Sequence, residues 1–257
     1  MTTLRDHDIR EEMAADNLIK NGDPAQAAGA CYELRLGNVY YDLTESDDPI
    51  SVPAGGTVLI KPGHRVVLIT HEEVVVPNEV LARVVSKGSL FSVGLSPVAT
   101  YADPGFVGNL GIVTQNISDK YIVLHLLEPI AKVDFTRLTG PVLRPYSGQH
   151  GFKTKIWPIK HELQKTYADI SSDRRLRTEK EEAYKLLPQA TADVLRWLER
   201  RQKLTDAAIL VAVILNALTL FLVGSKLLDS VLGVLGNLVA SLIVGLIVLY
   251  SKWGQKG

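Results

Sequence analysis

The sequence predicts a mainly β soluble domain, then a helical stretch, then two membrane-crossing helices. Three observations carry that reading. Residues 4 to 158 contain short β-branched runs bounded by Gly, Pro, Asn or Asp. From about Lys160 to Lys203 the chain is rich in Glu, Lys, Arg, Gln and Ala. Two apolar runs, Ala207 to Val223 and Val231 to Tyr250, carry no charge, and each approaches the ~20 residues that cross a bilayer.

The first element is a helix, because "LRDHDIREEMAADNLI" places Ile9, Met13 and Leu18 on one face behind an Asp that can cap it. The strands follow in "TVLIKPGHRVVLITHEEVVVP", "VLARVVS", "GNLGIVTQNIS", "YIVLHL" and "PIAKVDFTRL", the pattern of a barrel or a sandwich. In "TYADPGFVGNLGIVTQN" the Asp-Pro-Gly step is turn chemistry, with Pro setting φ and Gly taking the left-handed position. Cys31 is the single cysteine, so it makes no internal disulfide, and it reads as a core thiol. The histidines show no HxH or HExxH pairing, which argues against zinc. Lys and Arg number 28, as do Asp and Glu, so no basic field points to nucleic acid.

Beyond the β domain, Leu163, Tyr167 and Ile170, then Ala183, Leu186 and Leu187, then Val194, Trp197 and Leu198 are spaced for helices, and Pro188 splits the series. The piece after Pro188 is expected to run into the first span as one long helix, with Trp197 near the interface. Arg196, Arg200, Arg201 and Lys203 precede the spans and Lys252 and Lys256 follow them. Both ends are therefore expected on the cytoplasmic side of an inner or plasma membrane. No basic-plus-apolar leader opens the sequence, so the soluble part is expected to stay where it was made. Asn216 and Asn237, with Gly233, Gly236 and Gly245, suit close helix packing. The expected division is 1–158, 159–205 and 206–250.

The order of the β-domain motifs carries a resemblance. "LRDHDIREEM", "CYELRLGN", "LIKPGHRVVLITHEEVVVPNEVLARVVSKGSLFSVGL", "YADPGFVGNLGIVTQN", "EPIAKVDF" and "GPVLRPYSGQHG" resemble the successive motifs of the dCTP deaminase and dUTPase family. The resemblance implies a dUTPase-like distorted β-barrel of the β-clip type. It also implies a homotrimer with nucleotide sites at the subunit interfaces, and Mg²⁺ carried on the nucleotide phosphates. Asp103 stands where the family faces the deoxyribose 3′-hydroxyl and, in dUTPases, orients the attacking water; Phe106 stands for the aromatic beneath the sugar. Lys87 and Ser89 fall in the motif that contacts the triphosphate, and Tyr146, Gln149 and Gly151 in the segment that covers it, with Lys153 a further cation.

Two departures bear on chemistry. The deaminases place a proton-shuttling Glu where this chain has Val113, which has no ionisable group. Gly88 and Ser92 replace a Ser and an Arg of the phosphate and pyrimidine motif, and Lys132 stands where dUTPases place a Gln. The expected function is a membrane-anchored nucleotide sensor without deaminase activity, with a transmembrane output of the kind used in antiviral defence. The alternative is a membrane-tethered, dUTPase-like pyrophosphatase using Asp103 and Mg²⁺.

Overall fold

The structure is a computed structural model of the chain. It describes residues 1–149, 151, 152, 155, 157–159, 161–225, 231–236, 238, 239, 241, 242 and 245. The chain divides into two compact units, Met1–His161 and Glu162–Gly257.

In the first unit the elements are β1 (Thr2–Thr3), α1 (Asp6–Ala14), β2 (Leu18–Lys20), β3 (Ala27–Ala28), β4 (Cys31–Asp42), β5 (Pro49–Ser51) and β6 (Thr57–Ile60). They continue with β7 (Arg65–Val75), β8 (Val80–Ser86), α2 (Gly88–Ser92), β9 (Ala99–Ala102), β10 (Val107–Gln115), β11 (Ile122–His125) and β12 (Pro129–Arg137). The main antiparallel sheet runs β10-β7-β4-β12-β8-β9. Its two edge strands, β9 and β10, are consecutive in the chain and joined only by residues 103–106. The sheet must therefore curl until its edges meet, which gives a mainly β, barrel-like body with a seam between β9 and β10. One end of the seam is stitched: Ser96 N–H donates to the Gln115 carbonyl (2.8 Å) and Gln115 N–H to Ser96 Oγ (2.9 Å).

Alternation along the strands builds the core. On β10, Gly108, Leu110, Ile112 and Thr114 point inward, and Asn109, Gly111 and Val113 point out. Inward side chains such as Tyr32, Leu34, Leu68, Val84, Ile112 and Phe135 form one buried cluster. A second cluster lies on the outer face of β4 and β7, where Tyr41, Val67 and Ile69 are covered by Phe152 with Trp157 packed beside it.

Two irregularities coincide where β4 meets β7. Pairing skips on β4 between Leu36 and Tyr40, and on β7 between Ile69 and Glu73 opposite Gly111 and Asn109. Gly37 permits the approach, since a Cβ there would lie 2.9 Å from the Ile69 carbonyl oxygen. Behind the β7 bulge is a buried polar network. Glu72 is fully buried and accepts from Arg35 Nε (2.6 Å), Arg35 N–H (2.8 Å) and Tyr32 O–H (3.2 Å).

The sequence reading needs three corrections here. Leu18 is not on α1: it opens β2 at φ 61°, because the helix ends at Ala14 and the chain reverses through Asp16. The residue before the helix is Arg5, not an Asp, and Asp8 reaches back to accept from its N–H at 3.1 Å. Cys31 is half-exposed at the start of β4, on the outward side of the alternation, and is not a core thiol.

In the second unit, α3 (Tyr167–Ile170), α4 (Glu179–Leu186) and α5 (Gln189–Gly224) follow one another. Thr166 and Thr178 cap α3 and α4 with hydroxyls, and Pro188 ends the run of α4 and opens α5. Lys180 pairs with Glu199, and the Arg196 guanidinium lies 5.1 Å from the Tyr184 ring centre, so α4 packs on α5. Among the described residues one helix, α5, is long and apolar enough to cross a membrane. Of the expected second span, residues 231–236 are helical, whereas Asn237 and much of the remainder lie outside the described residues.

Candidate functional site

The link between β9 and β10 forms the first half of the site. Phe106 N–H donates to the Asp103 carbonyl (3.0 Å), Gly105 takes φ 92°, and Gly105 N–H reaches the Val76 carbonyl (2.8 Å). The turn is thus fixed on the end of β7. It leaves the Asp103 carboxylate exposed and, among the described residues, without a partner. Phe106 is buried in the core with its ring 5.7 Å from that of Tyr146.

The segment after β12 is folded against this turn. Tyr146 N–H donates to the Pro104 carbonyl (2.7 Å) and its hydroxyl to the Gln149 carbonyl (2.6 Å). Gly151 sits at φ 53°, where an added Cβ would fall 2.0 Å from the Asn109 carbonyl oxygen, so only glycine fits. Phe152 N–H then bonds that carbonyl (3.0 Å), and its ring meets Tyr41 edge-on at 6.2 Å. Trp157 lies over Gly111 and its N–H donates to the Tyr41 hydroxyl (3.3 Å). The structure therefore brings Asp103, Phe106, Tyr146, Gln149 and Gly151 together. Lys153 lies outside the described residues.

Lys87 and Ser89 are elsewhere. β8 and β9 pair from Ala82↔Ala102 to Val85↔Ala99, so Lys87 follows the end of β8 remote from Asp103. At ~3.3 Å per residue the two are about 20 Å apart. Lys87 Nζ donates to Glu33 Oε2 at 2.7 Å, and Lys132 Nζ lies 3.6 Å from Glu33 Oε1. Partial burial pushes the Glu33 carboxyl up, but the bond from Lys87 and the charges of both lysines outweigh it and hold the group below its ordinary value. Ser89 is exposed on α2. Reading the sequence did not find Glu33, although its place on "CYELRLGN", two residues before Arg35, put it on the face opposite Tyr32 and Leu34.

Val113 lies on the outer face of β10 and is 42% exposed, so the lack of a carboxyl group there is not a matter of burial. It pairs with Val67, which pairs with Tyr41, so the neighbouring outer surface is apolar. Among the described residues β9 pairs with β8 and β10 with β7, so the facing edges carry main-chain groups outside any ladder, of which the Asn109 carbonyl is used by Phe152 N–H. Among the described residues one group of three His, Asp or Glu could gather on a metal, His7, Asp8 and Glu11 on exposed α1, not at the β9–β10 turn. An Mg²⁺ at the turn would meet the Asp103 carboxylate and would be held mainly by phosphate oxygens.

Comparison with known proteins identifies relatives of this chain. The sequence profile described as dCTP deaminase-like matches residues 3–138. The dCTP deaminase of Pyrococcus abyssi is 30% identical over 153 residues, 60% of this chain and 95% of that protein. The dUMP-forming dCTP deaminase of Dictyoglomus turgidum is 31% identical over 171 residues, 58% of this chain and 88% of that protein. A crystal structure of 2′-deoxycytidine 5′-triphosphate deaminase from Agrobacterium tumefaciens superposes with a TM-score of 0.45 at 18% identity, covering 52% of this chain and 47% of that one. With its profile matched over more than half of its length and its relatives covered almost end to end, this chain belongs to the dCTP deaminase-like family.

Proposed function

We propose that this protein is a membrane-anchored member of its family that binds a deoxynucleoside triphosphate and reports it to the membrane without deaminating it. The observation that carries the reading is the open seam between β9 and β10, with a free Asp103 carboxylate at its mouth and Val113 on its outer flank. Main-chain groups along β9 and β10 that lie outside the ladder supply donors and acceptors for a base, and Asp103 supplies an acceptor for a sugar hydroxyl. Deamination needs a group that takes a proton from water and returns it to the leaving amine, and Val113 can do neither. The pairing of Lys87 with Glu33, about 20 Å from Asp103, supports a site completed by a second copy, in which Lys87 and Ser89 of one protomer face Asp103 of another. A homotrimer satisfies that geometry with equivalent interfaces. An Mg²⁺ arriving on the triphosphate would neutralise its oxygens; this chain's own part is to orient the sugar through Asp103 and cover the phosphates with residues 146–151.

Helix α5 supports the membrane half of the reading, since its apolar stretch matches a bilayer and Arg196, Arg200 and Arg201 lie at its polar end. An antiviral effector that perturbs the membrane on a nucleotide signal fits this plan. The retained Asp103 favours a second reading, a tethered pyrophosphatase, because an exposed carboxylate can orient water.

The test uses the full chain in lipid vesicles with a panel of deoxy- and ribonucleoside triphosphates and Mg²⁺, following thermal shift, product and leakage. Stabilisation by a deoxynucleotide without ammonia or pyrophosphate, together with nucleotide-dependent leakage, is expected. Asp103→Asn should weaken binding about tenfold, ~1.4 kcal/mol. Ammonia release from dCTP would overturn the proposal, and pyrophosphate release would establish the second reading.

A further inference from the structure

The coincident bulges on β4 and β7 carry none of the residues assigned to the nucleotide, although Asn109, opposite the β7 bulge, also accepts from Phe152 N–H beside that site. Their support is elaborate. Asn109 Nδ2 donates to the Thr70 carbonyl (3.1 Å) and the Glu72 carbonyl (3.0 Å), while Thr70 Oγ1 donates to the Glu72 carbonyl (2.8 Å) and accepts from Leu110 N–H (2.9 Å). Behind them sits the fully buried Glu72 with Arg35. A buried ion pair contributes little to net stability; this one ties the β7 bulge in its observed shape to β4 through Arg35 N–H and Nε. That shape turns His71 outward between Thr70 and Glu72, as bulges beside binding sites re-aim a side chain.

His71 stands between two adjoining cavities, and Gly37 and Asn38 line both. The first, about 630 Å³, has Leu36, Val52 and Leu127 as an apolar floor and His125 with the Gly55–Gly56 turn at its rim. The second, about 610 Å³, is polar, with Asn21, Ser51, Glu73 and Asn109 in its wall. Among the described residues neither the His71 nor the His125 imidazole has a hydrogen-bond or ion-pair partner. We infer that this paired cavity is a second ligand site, separate from the Asp103 turn, and that it takes a neutral nucleoside.

The chemistry selects that class. A flat heteroaromatic ring suits the apolar chamber, where imidazole and amide groups meet its polar edge. Amide, hydroxyl and carboxylate groups in the second chamber suit sugar hydroxyls. The cation described there, Lys155, lies 5.6 Å from the Phe152 ring centre and shares the chamber with Glu73, so the described residues carry no excess positive charge to hold a phosphate chain. The inference is independent of the nucleotide reading, because it uses none of the residues assigned to it.

The experiment is saturation-transfer NMR and calorimetric titration of the full chain in detergent with adenosine, guanosine, cytidine and thymidine. Wild type, His71→Ala, Asn38→Ala and Asp103→Asn are compared, each checked for an unchanged melting temperature. At least one nucleoside should bind, with Kd raised tenfold or more by His71→Ala and by Asn38→Ala and unchanged by Asp103→Asn. Two results would overturn the inference: no nucleoside binding at all, or binding that survives His71→Ala and Asn38→Ala but is lost in Asp103→Asn. If His71→Ala lowers the melting temperature, His125→Ala, at the rim of the same chamber, replaces it and must give the same loss.

Discussion

Replacing Arg35 by Met tests the network behind the β7 bulge. Glu72 has no exposed surface, and Arg35 supplies two of its three hydrogen bonds, one from Nε at 2.6 Å and one from its own N–H at 2.8 Å. The substitution keeps the N–H and the apolar stem but removes the guanidinium, leaving a carboxylate with Tyr32 as its one side-chain donor among the described residues. Removing one member of a buried pair costs about 3–5 kcal/mol, mostly through the stranded charge. In a domain this size each kcal/mol moves the melting temperature by roughly 2–4 °C, so a fall of about 10 °C is expected. Near-ultraviolet circular dichroism of the full chain in detergent, at a fixed scan rate, reads it directly. The double variant Arg35→Met with Glu72→Gln removes the stranded charge and should recover at least half of the loss. A melting temperature within 2 °C of wild type for Arg35→Met, or additive losses in the double variant, would refute the reasoning.

Three more outcomes follow from the geometry. Burial, with the nearby Glu72 charge, pushes the Tyr32 hydroxyl up to about 12; the folded state therefore keeps a proton that the unfolded chain releases near 10, and stability should fall as pH rises from 10 to 12 by roughly 2–3 kcal/mol. Tyr32→Phe should flatten that slope in urea titrations at a series of alkaline pH values. At Gly111 an alanine Cβ would lie 2.3 Å from Trp157 Cζ3, so Gly111→Ala should expose Trp157 and red-shift its emission in a Trp197→Phe, Trp253→Phe background; an unmoved spectrum contradicts the docking. Glu33→Gln removes the anion that engages Lys87 and Lys132 and should tighten triphosphate binding several-fold by calorimetry, whereas weaker binding would assign Glu33 a supporting role.

The strands were legible because their alternation is strong: "VLARVVS" and "GNLGIVTQ" declare which side is buried without help from the rest of the chain. The Asp103 turn was legible for a similar local reason, since Pro104 fixes its own φ and Gly105 permits the positive φ of 92° that the turn needs. What escaped depends on partners distant in sequence. Glu72 is an ordinary strand glutamate until Arg35, 37 residues earlier, is known to face it. Trp157 sits in a segment with no periodicity, and its resting place over Gly111 follows from the absence of a side chain there. Leu18 matched a helical face by spacing alone, whereas the chain had already turned at a positive φ that spacing does not reveal.

Helix α5 runs for 36 residues without an internal proline or glycine, Gly224 being its last residue. At ~1.5 Å per residue it is about 54 Å long, with the charged half and the apolar half on one continuous hydrogen-bond ladder. Between Trp197 and Asn216 there is no proline or glycine at which the ladder would kink. The polar and apolar ends are one element, so the side of the helix on which Asn216 stands is set relative to that of Trp197 by the helical repeat alone.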